Sequence, residues 1–375
     1  MVKILVAGDL CPRDRGLQIV CSGEYIDYFK SVKSVIKNVD YSLLNLECPI
    51  VDTAIPIKKQ GPNLKAPLEV IDFIKYCGFD GVTLANNHFY DYGEDGVIST
   101  ISICKKHNID FVGGGENIEI ARNILYKTIN ETTIAFINAC EYEFSIATGT
   151  TAGSNPIDPI RIYNDIKEAK EKANYVVVII HGGHEHYCLP SPRMQDTYRF
   201  FIEIGADAVV NHHQHCYSGY EFYNGKPIVY GLGNFYFDHP GKRDDKWNEG
   251  YLLNLGLNDK ISISLVPYIQ CNERPSIELM DNIQQDKFHE NINRLNEIIK
   301  NRDLLEKYFD EFCNSKKKLY MSVLEPYPSI YIKFLYRNSI LPSLLKGKSF
   351  RFVKNFIMCE SHLDVIKHLL KKNEL

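Results

Sequence analysis

The chain has 375 residues, 45% hydrophobic and 24% charged, a balance that supports a packed core and excludes disorder as its main state. With 47 acids against 43 bases the net charge is −4, so no global basic field argues for nucleic acid as a partner. The charge is uneven: residues 301–375 hold 14 Lys/Arg and 8 Asp/Glu, a balance of +6 that leaves −10 on the rest.

Val2–Ala7 reads as a buried strand ending in Gly8-Asp9, and Tyr41–Leu46 as a second, running into Glu47-Cys48-Pro49. Leu68–Tyr76 has helical spacing with Gly78 as its C-cap; Gly81–Ala85 is a short strand before Asn86-Asn87-His88. Gly96–His107 is a helix and Asp110–Val112 a strand before three glycines, so the first 115 residues alternate strand and helix, the pattern of an α/β sheet. Ile124–Ile129 and Thr132–Ala139 form a hairpin, Ile160–Asn174 a helix, and Tyr175–Ile180 a strand that meets His181. Gln195–Ile204 is helical, and Ala208–Val210 leads into Asn211-His212-His213-Gln214-His215. Asn224-Gly225 turns one further hairpin and Asn258-Asp259 another. From about 276 the pattern is helical, at Phe288–Ile299, Leu304–Phe312 and Phe352–Leu370, which sets expected domains of 1–275 and 276–375.

Eleven scattered cysteines include no Cys-x-x-Cys pair, against a zinc ribbon or a thioredoxin-type site. Their number is odd and the chain is long for a disulfide scaffold, so a reduced, cytoplasmic setting is expected. The first apolar run is too short for a signal h-region, and no stretch approaches the roughly 18 apolar residues of a membrane span.

The polar residues fit for chemistry share one address. Asp9, Glu47, Asn86–His88, His181 and His213–His215 each follow the C-terminal end of a predicted strand, where ligands of α/β sheets bind. Two carboxylates, an amide and several imidazoles suit one or two divalent ions, with Mn, Fe or Zn matching the mixed O/N set. A shared carboxylate admits two ions about 3.5–4 Å apart, as in two-metal phosphatases. His212, His213 and His215 are too dense for packing alone, and at least one is expected to face solvent. Arg13 and Arg15 either meet a substrate phosphate or carboxylate or are solvated loop arginines; Asn86 and Glu185 are further candidate substrate contacts.

With these motifs in this order, the chain resembles the CapA family of bacterial capsule-synthesis proteins, related to poly-γ-glutamate capsule genes, within the calcineurin-like metallophosphatase superfamily. The carrying segments are Gly8-Asp9, Asn45–Pro49, Ala66-Pro67, Leu84–His88 with Asp91-Tyr92-Gly93, Gly113–Gly115, His181–Glu185, His212–His215 and Tyr230–Phe235. The resemblance covers roughly residues 1–270. It implies a four-layer αββα sandwich with a C-terminal helical extension. It makes Asp9 and His215 ligands of a first metal, Glu47 the bridging carboxylate, Asn87, His181 and His213 ligands of a second, and His88 the acid that protonates a leaving oxygen. The superfamily's Asp-x-His start reads Asp9-Leu10-Cys11 here, so Cys11 either ligates a soft metal or packs.

The implied function is a metal-dependent phosphomonoester or phosphodiester hydrolase in the synthesis of capsule or another surface polymer, acting on a phosphorylated sugar or polymer intermediate. The alternative is a non-hydrolytic capsule-assembly or carbohydrate-handling factor that keeps the fold. The basic C-terminal segment, with Lys316-Lys317-Lys318 and the aromatic stretch Tyr327–Tyr336, is either a solvated face or a peripheral membrane contact.

Overall fold

The strand Val2–Leu10 alternates apolar side chains toward two different cores, and the architecture follows from that. Ile4 and Val6 join a core shared with Leu43, Leu253, Val178 and Val209, whereas Leu5 and Ala7 join another with Leu44, Phe29, Phe73 and Val97. A strand buried on both faces reads as a continuous apolar run. The structure, a computed structural model, describes residues 1–359 and 361–366, in two units, Met1–Glu306 and Lys307–Leu375.

In the first unit Val2–Leu10 is central to an eight-stranded mixed sheet. On one side lie Tyr41–Leu46, Gly81–Thr83 and Asp110–Val112, all parallel. On the other lie Glu249–Leu257, Ser262–Gln270 and Ile277–Leu279, all antiparallel, and Asn234–Tyr236 pairs parallel with the strand's end. The second sheet runs Tyr220–Tyr223, Lys226–Val229, Ala208–His212, Tyr175–His181, Thr132–Cys140 and Leu125–Ile129. The inner faces of the two sheets share one core. Helices Ile26–Ile36, Val70–Cys77 and Gly93–His107 cover the first sheet; Pro159–Lys172 and Pro192–Glu203 cover the second. The layer order is αββα, as expected. Each fully buried Val, Leu or Ile in these layers is worth about 1.5–3 kcal/mol.

Local signals place the elements. Gly78 ends its helix at φ 96°, a left-handed conformation that an L side chain resists. Asn224 and Gly225 adopt φ 50° and 75°, the turn that matches strand twist. Asp158 and Ser191 cap their helices ahead of a proline.

The boundary expected near 275 falls later, after Glu306. Ile277–Leu279 extends the first sheet, and helix Asn282–Lys300 buries Phe288, Ile292 and Leu295 in the inter-sheet core. Its Asn296 Oδ1 accepts from the Tyr220 amide at 2.7 Å. The second unit contains helices Ile330–Arg337 and Gly347–Met358. The part of the expected helix Phe352–Leu370 beyond 366 lies outside the described residues.

Candidate metal centre

Strand ends from both sheets deliver the donors. The pairing of Val2–Leu10 with Tyr41–Leu46 skips Gly8, a bulge that re-aims Asp9. A Cβ at Gly8 would lie 1.9 Å from the Gly233 carbonyl oxygen, so only glycine lets the two backbones meet. Glu47 follows Tyr41–Leu46 and is fully buried. His181 is the last residue of its strand, and His213 and His215 follow Ala208–His212. His213 and His215 have φ of 89° and 53°; such strain persists where the surroundings over-determine it, typically at functional sites.

Two donor groups result, each with ligand atoms within 4.8 Å of one another: Glu47, His181 and His213, and Asp9, Glu47 and His215. Glu47 belongs to both. His181 Nε2 lies 3.5 Å from Glu47 Oε1, 3.1 Å from His213 Nδ1 and 3.1 Å from Asn87 Oδ1. His215 lies 3.6 Å from Asp9 Oδ2 through Nδ1 and 3.6 Å from Glu47 Oε1 through Nε2.

Amides hold this set in place. The Asn45 side-chain nitrogen donates to Asp9 Oδ1 at 2.7 Å and lies 3.2 Å from His181 Nδ1. Asn234 donates to the Trp247 carbonyl at 3.1 Å, which turns its own oxygen toward His215 Nδ1 at 2.9 Å. His215 therefore carries its proton on Nδ1 and aims the Nε2 lone pair at the side of Glu47. Such outer hydrogen bonds fix the tautomer of a ligating imidazole.

The electrostatics point the same way. Both Glu47 oxygens are buried without a hydrogen-bond partner. Burial, then the neighbouring Asp9, push the Glu47 carboxyl well above its ordinary range. Burial, then His213, hold His181 far below the usual imidazole value; His213, by burial and then His215, is pushed down to about 3. These imidazoles are neutral at physiological pH, the form that ligates. Carboxylate oxygens and imidazole lone pairs facing one another without a proton donor fit divalent cations.

His88 stands beside the set, 7% exposed, with Nδ1 2.7 Å from Asp91 Oδ2. Burial lowers its pKa, against an upward pull from Asp91. The Lys59 ammonium, also buried, reaches Asp91 Oδ1 at 2.5 Å and His88 Nδ1 at 3.2 Å. A cleft of about 390 Å³ opens over Asn87, His181 and His213, walled by Glu141, Gly183 and Arg193. Arg193 pairs with Glu141, which also accepts from the Gly183 amide at 2.9 Å.

Asp9, Glu47, Asn87, His181, His213 and His215 thus come together, with His88 adjacent. Other expectations change. Arg15 has structural partners instead: its guanidinium grips Asp238 through Nε and Nη2, each at 2.9 Å, and caps the Cys271, Asn272 and Glu273 carbonyls. Arg13 is half-buried, with no ion pair among the described residues. Asn86 is fully buried and donates to the Leu46 carbonyl at 2.8 Å, while its oxygen takes the His88 amide, so its side chain shapes the loop. Glu185 is exposed on the loop after His181, and its charge acts on Glu47 and His213. His212, His213 and His215 are all buried, and of the three only His213 lines the cleft; His212 Nε2 lies 2.9 Å from the Ala7 carbonyl. Cys11 hydrogen-bonds with Cys48 in the core beneath the helices and belongs to neither donor group. Sequence reasoning gave no role to Asn45, Asn234, Asp91, Lys59, Glu141 or Arg193. The first three stand inside the motifs quoted above; nothing local marks the others.

The family model of "Bacterial capsule synthesis protein PGA_cap" matches residues 3–239, which contain every donor described. The chain belongs to this family. Within the family setting, the chain is similar to "Capsule biosynthesis protein CapA" of Bacillus anthracis, 35% identical over 222 residues, covering 56% of this chain and 54% of that protein. It is equally similar to "PGA biosynthesis protein CapA" of Bacillus subtilis (strain 168), 35% identical over 216 residues and 56% of each chain. The chain therefore spans about half the length of the curated relatives it matches. Among solved structures, a hypothetical protein from Thermus thermophilus superposes with a TM-score of 0.47 at 12% identity, over 72% of this chain and 99% of that one. The family's matched segment stops before the helical region, so residues 240–375 stand outside it.

Proposed function

We propose that this chain is a metal-dependent phosphoester hydrolase acting on a phosphorylated sugar or polymer intermediate in the synthesis of capsule or another cell-surface polymer. The observation that carries the reading is Glu47: a fully buried carboxylate with both oxygens unpartnered, common to two donor groups. A buried carboxylate in that condition is costly unless a cation meets it. Asp9, Glu47 and His215 would hold one divalent ion, and Glu47, His181 and His213, with Asn87 at their edge, a second; Mn, Fe or Zn suits this O/N set. Bound there, such ions acidify a water and neutralise charge on phosphoryl oxygens.

The remaining work falls to the chain's own side chains. His88 would have to take up a proton against the burial that lowers its pKa, helped by Asp91 at its Nδ1, and would then pass that proton to a leaving oxygen. Lys59 pairs with Asp91 and helps orient the ring. Arg193, at the start of helix Pro192–Glu203 and on the cleft wall, offers its guanidinium to an anionic group on substrate.

One observation favours the alternative of a non-hydrolytic assembly factor: Cys11 stands where the superfamily has a histidine and is turned into the core, which leaves the first donor group at three residues. The deciding experiment is elemental analysis of purified protein joined to phosphate release from sugar phosphates and phosphodiesters. Metal with turnover supports hydrolysis; metal without turnover on any phosphoester supports assembly; no metal uptake refutes both forms of the metal reading.

A further inference from the structure

We propose that the helices of the C-terminal unit dock the protein on an anionic lipid surface. The proposal is independent of the hydrolase reading and concerns residues outside the family-matched segment. Helices Ile330–Arg337 and Gly347–Met358 bury none of their residues. Their large side chains are instead open: Tyr331 is 80% exposed, Ile330 70%, Phe334 60%, Phe352 61% and Met358 69%. Between the helices Ile340 and Leu344 are exposed as well.

The charge is as one-sided as the hydrophobicity. From Cys313 to Met358 there are nine lysines and arginines and one acid, Glu325, so the segment carries 9 − 1 = +8. Glu325 is itself buried: it accepts from the Leu344 amide at 2.9 Å, the Leu345 amide at 3.3 Å and the Ser343 hydroxyl. At about 100° per residue, Phe350, Phe352, Val353, Phe356 and Ile357 fall within one half of the Gly347–Met358 helix, and Lys348, Arg351, Lys354 and Asn355 within the other. Aromatic and aliphatic groups on one side with lysine and arginine stems on the other is the composition of a helix lying in a membrane interface. Among the described residues no helix is long and apolar enough to cross a membrane, so the contact is peripheral.

Other occupants fit less well. A second copy would press one +8 segment against another. A nucleic acid would meet the charge and leave the phenylalanine side wet. A fluid anionic surface satisfies both halves together, and it needs no concave complement.

The test uses the full chain and vesicles of phosphatidylcholine alone or mixed with phosphatidylglycerol. The expected result is binding at least about tenfold stronger to the mixed vesicles, reversed by high salt. Each basic residue near such a surface is worth roughly fivefold in partitioning, so Lys348→Glu, Arg351→Glu and Lys354→Glu together should weaken it on the order of 100-fold. Phe352→Ser with Ile357→Ser should also weaken it while the dependence on phosphatidylglycerol persists. Circular dichroism checks that both variants keep the wild-type transition. A readout that needs no variant is trypsin cleavage at Lys346–Lys354, which mixed vesicles should slow. Equal binding to both vesicle types, no binding, unaltered cleavage, self-association that covers the segment, or tighter binding to nucleic acid than to mixed vesicles would each overturn the proposal.

Discussion

Changing Glu47→Gln keeps the side chain's shape and removes the charge that the two donor groups share. In the metal-free protein, burial and Asp9 raise the Glu47 pKa, so the acid tends to fold in its neutral form. At the limit where it stays fully protonated at pH 7, against an unfolded pKa of about 4.3, the cost is about 3–4 kcal/mol. A glutamine left without partners in the same place costs about 1–3 kcal/mol. At the midpoints of those ranges the metal-free variant should be more stable than wild type by about 1.5 kcal/mol, or roughly 2–3 °C in Tm for a unit of this size. The sign follows from the raised pKa: the carboxyl's penalty is absent below the unfolded pKa, grows as pH rises from there toward the folded one, and levels off above it. Below about pH 4.3 that penalty is gone, and the variant should be no more stable than wild type. With metal the order reverses. Wild type gains about 2.7 kcal/mol when free metal is a hundred times its Kd, and the variant, lacking the shared carboxylate, much less. Scanning calorimetry with a chelator, then with excess Mn or Zn, reads both effects. A variant less stable than wild type in chelator, or one that gains as much from metal, refutes the reasoning.

Metal uptake should release a proton from Glu47 wherever the pH lies below its raised pKa, while His181 and His213, held low by burial, release none. Calorimetry in buffers of differing ionisation enthalpy measures it; affinity should fall as pH drops through the raised Glu47 pKa, and a proton count of zero at every pH contradicts the assignment. His88→Ala should lower phosphoester turnover by about 10²–10⁴-fold with metal content unchanged, whereas His213→Ala should lose metal and turnover together. Equal metal loss in the two makes His88 a ligand or a structural residue. Arg15→Ala should cost about 2–3 kcal/mol in urea unfolding, because Asp238 and three carbonyls lose their donor, and leave KM unaltered. A raised KM with full stability returns Arg15 to the substrate.

The site was legible because each donor follows an apolar run, and such runs end where a buried strand meets the sheet's edge. Asp9, Glu47, Asn87 and His181 all stand at that transition, which needs only local pattern. Helices Asp14–Ser22 and Ile26–Ile36 were not anticipated: the first is capped by no side chain and buries only Gly16 and Val20, a weak stripe. The pairing of Arg15 is hidden from the sequence for a different reason. Its partner Asp238 is 223 residues away, and no local feature reveals a distant countercharge. Lys59 was passed over for the same reason, since a lysine beside Lys58 in a polar loop reads as solvated until Asp91 folds against it. The early domain boundary came from a shift to helical period at 276, but period does not say which core a helix buries in.

The placement of the N-terminal strand has a consequence for how the protein is made. Val2–Leu10 is synthesised before the other strands of its sheet, and its antiparallel neighbour Glu249–Leu257 and the short flanking strand Asn234–Tyr236 come some 230 to 250 residues later. At about 5–20 residues per second, that apolar strand waits roughly 10–50 s with one long edge unpaired. Asp9 is seated against Asn234 only at the end of that wait, so the donor groups are complete only then. During synthesis the exposed edge is a place for a chaperone or for aggregation. Yield in cells should therefore respond to translation speed more than the stability of the finished fold suggests.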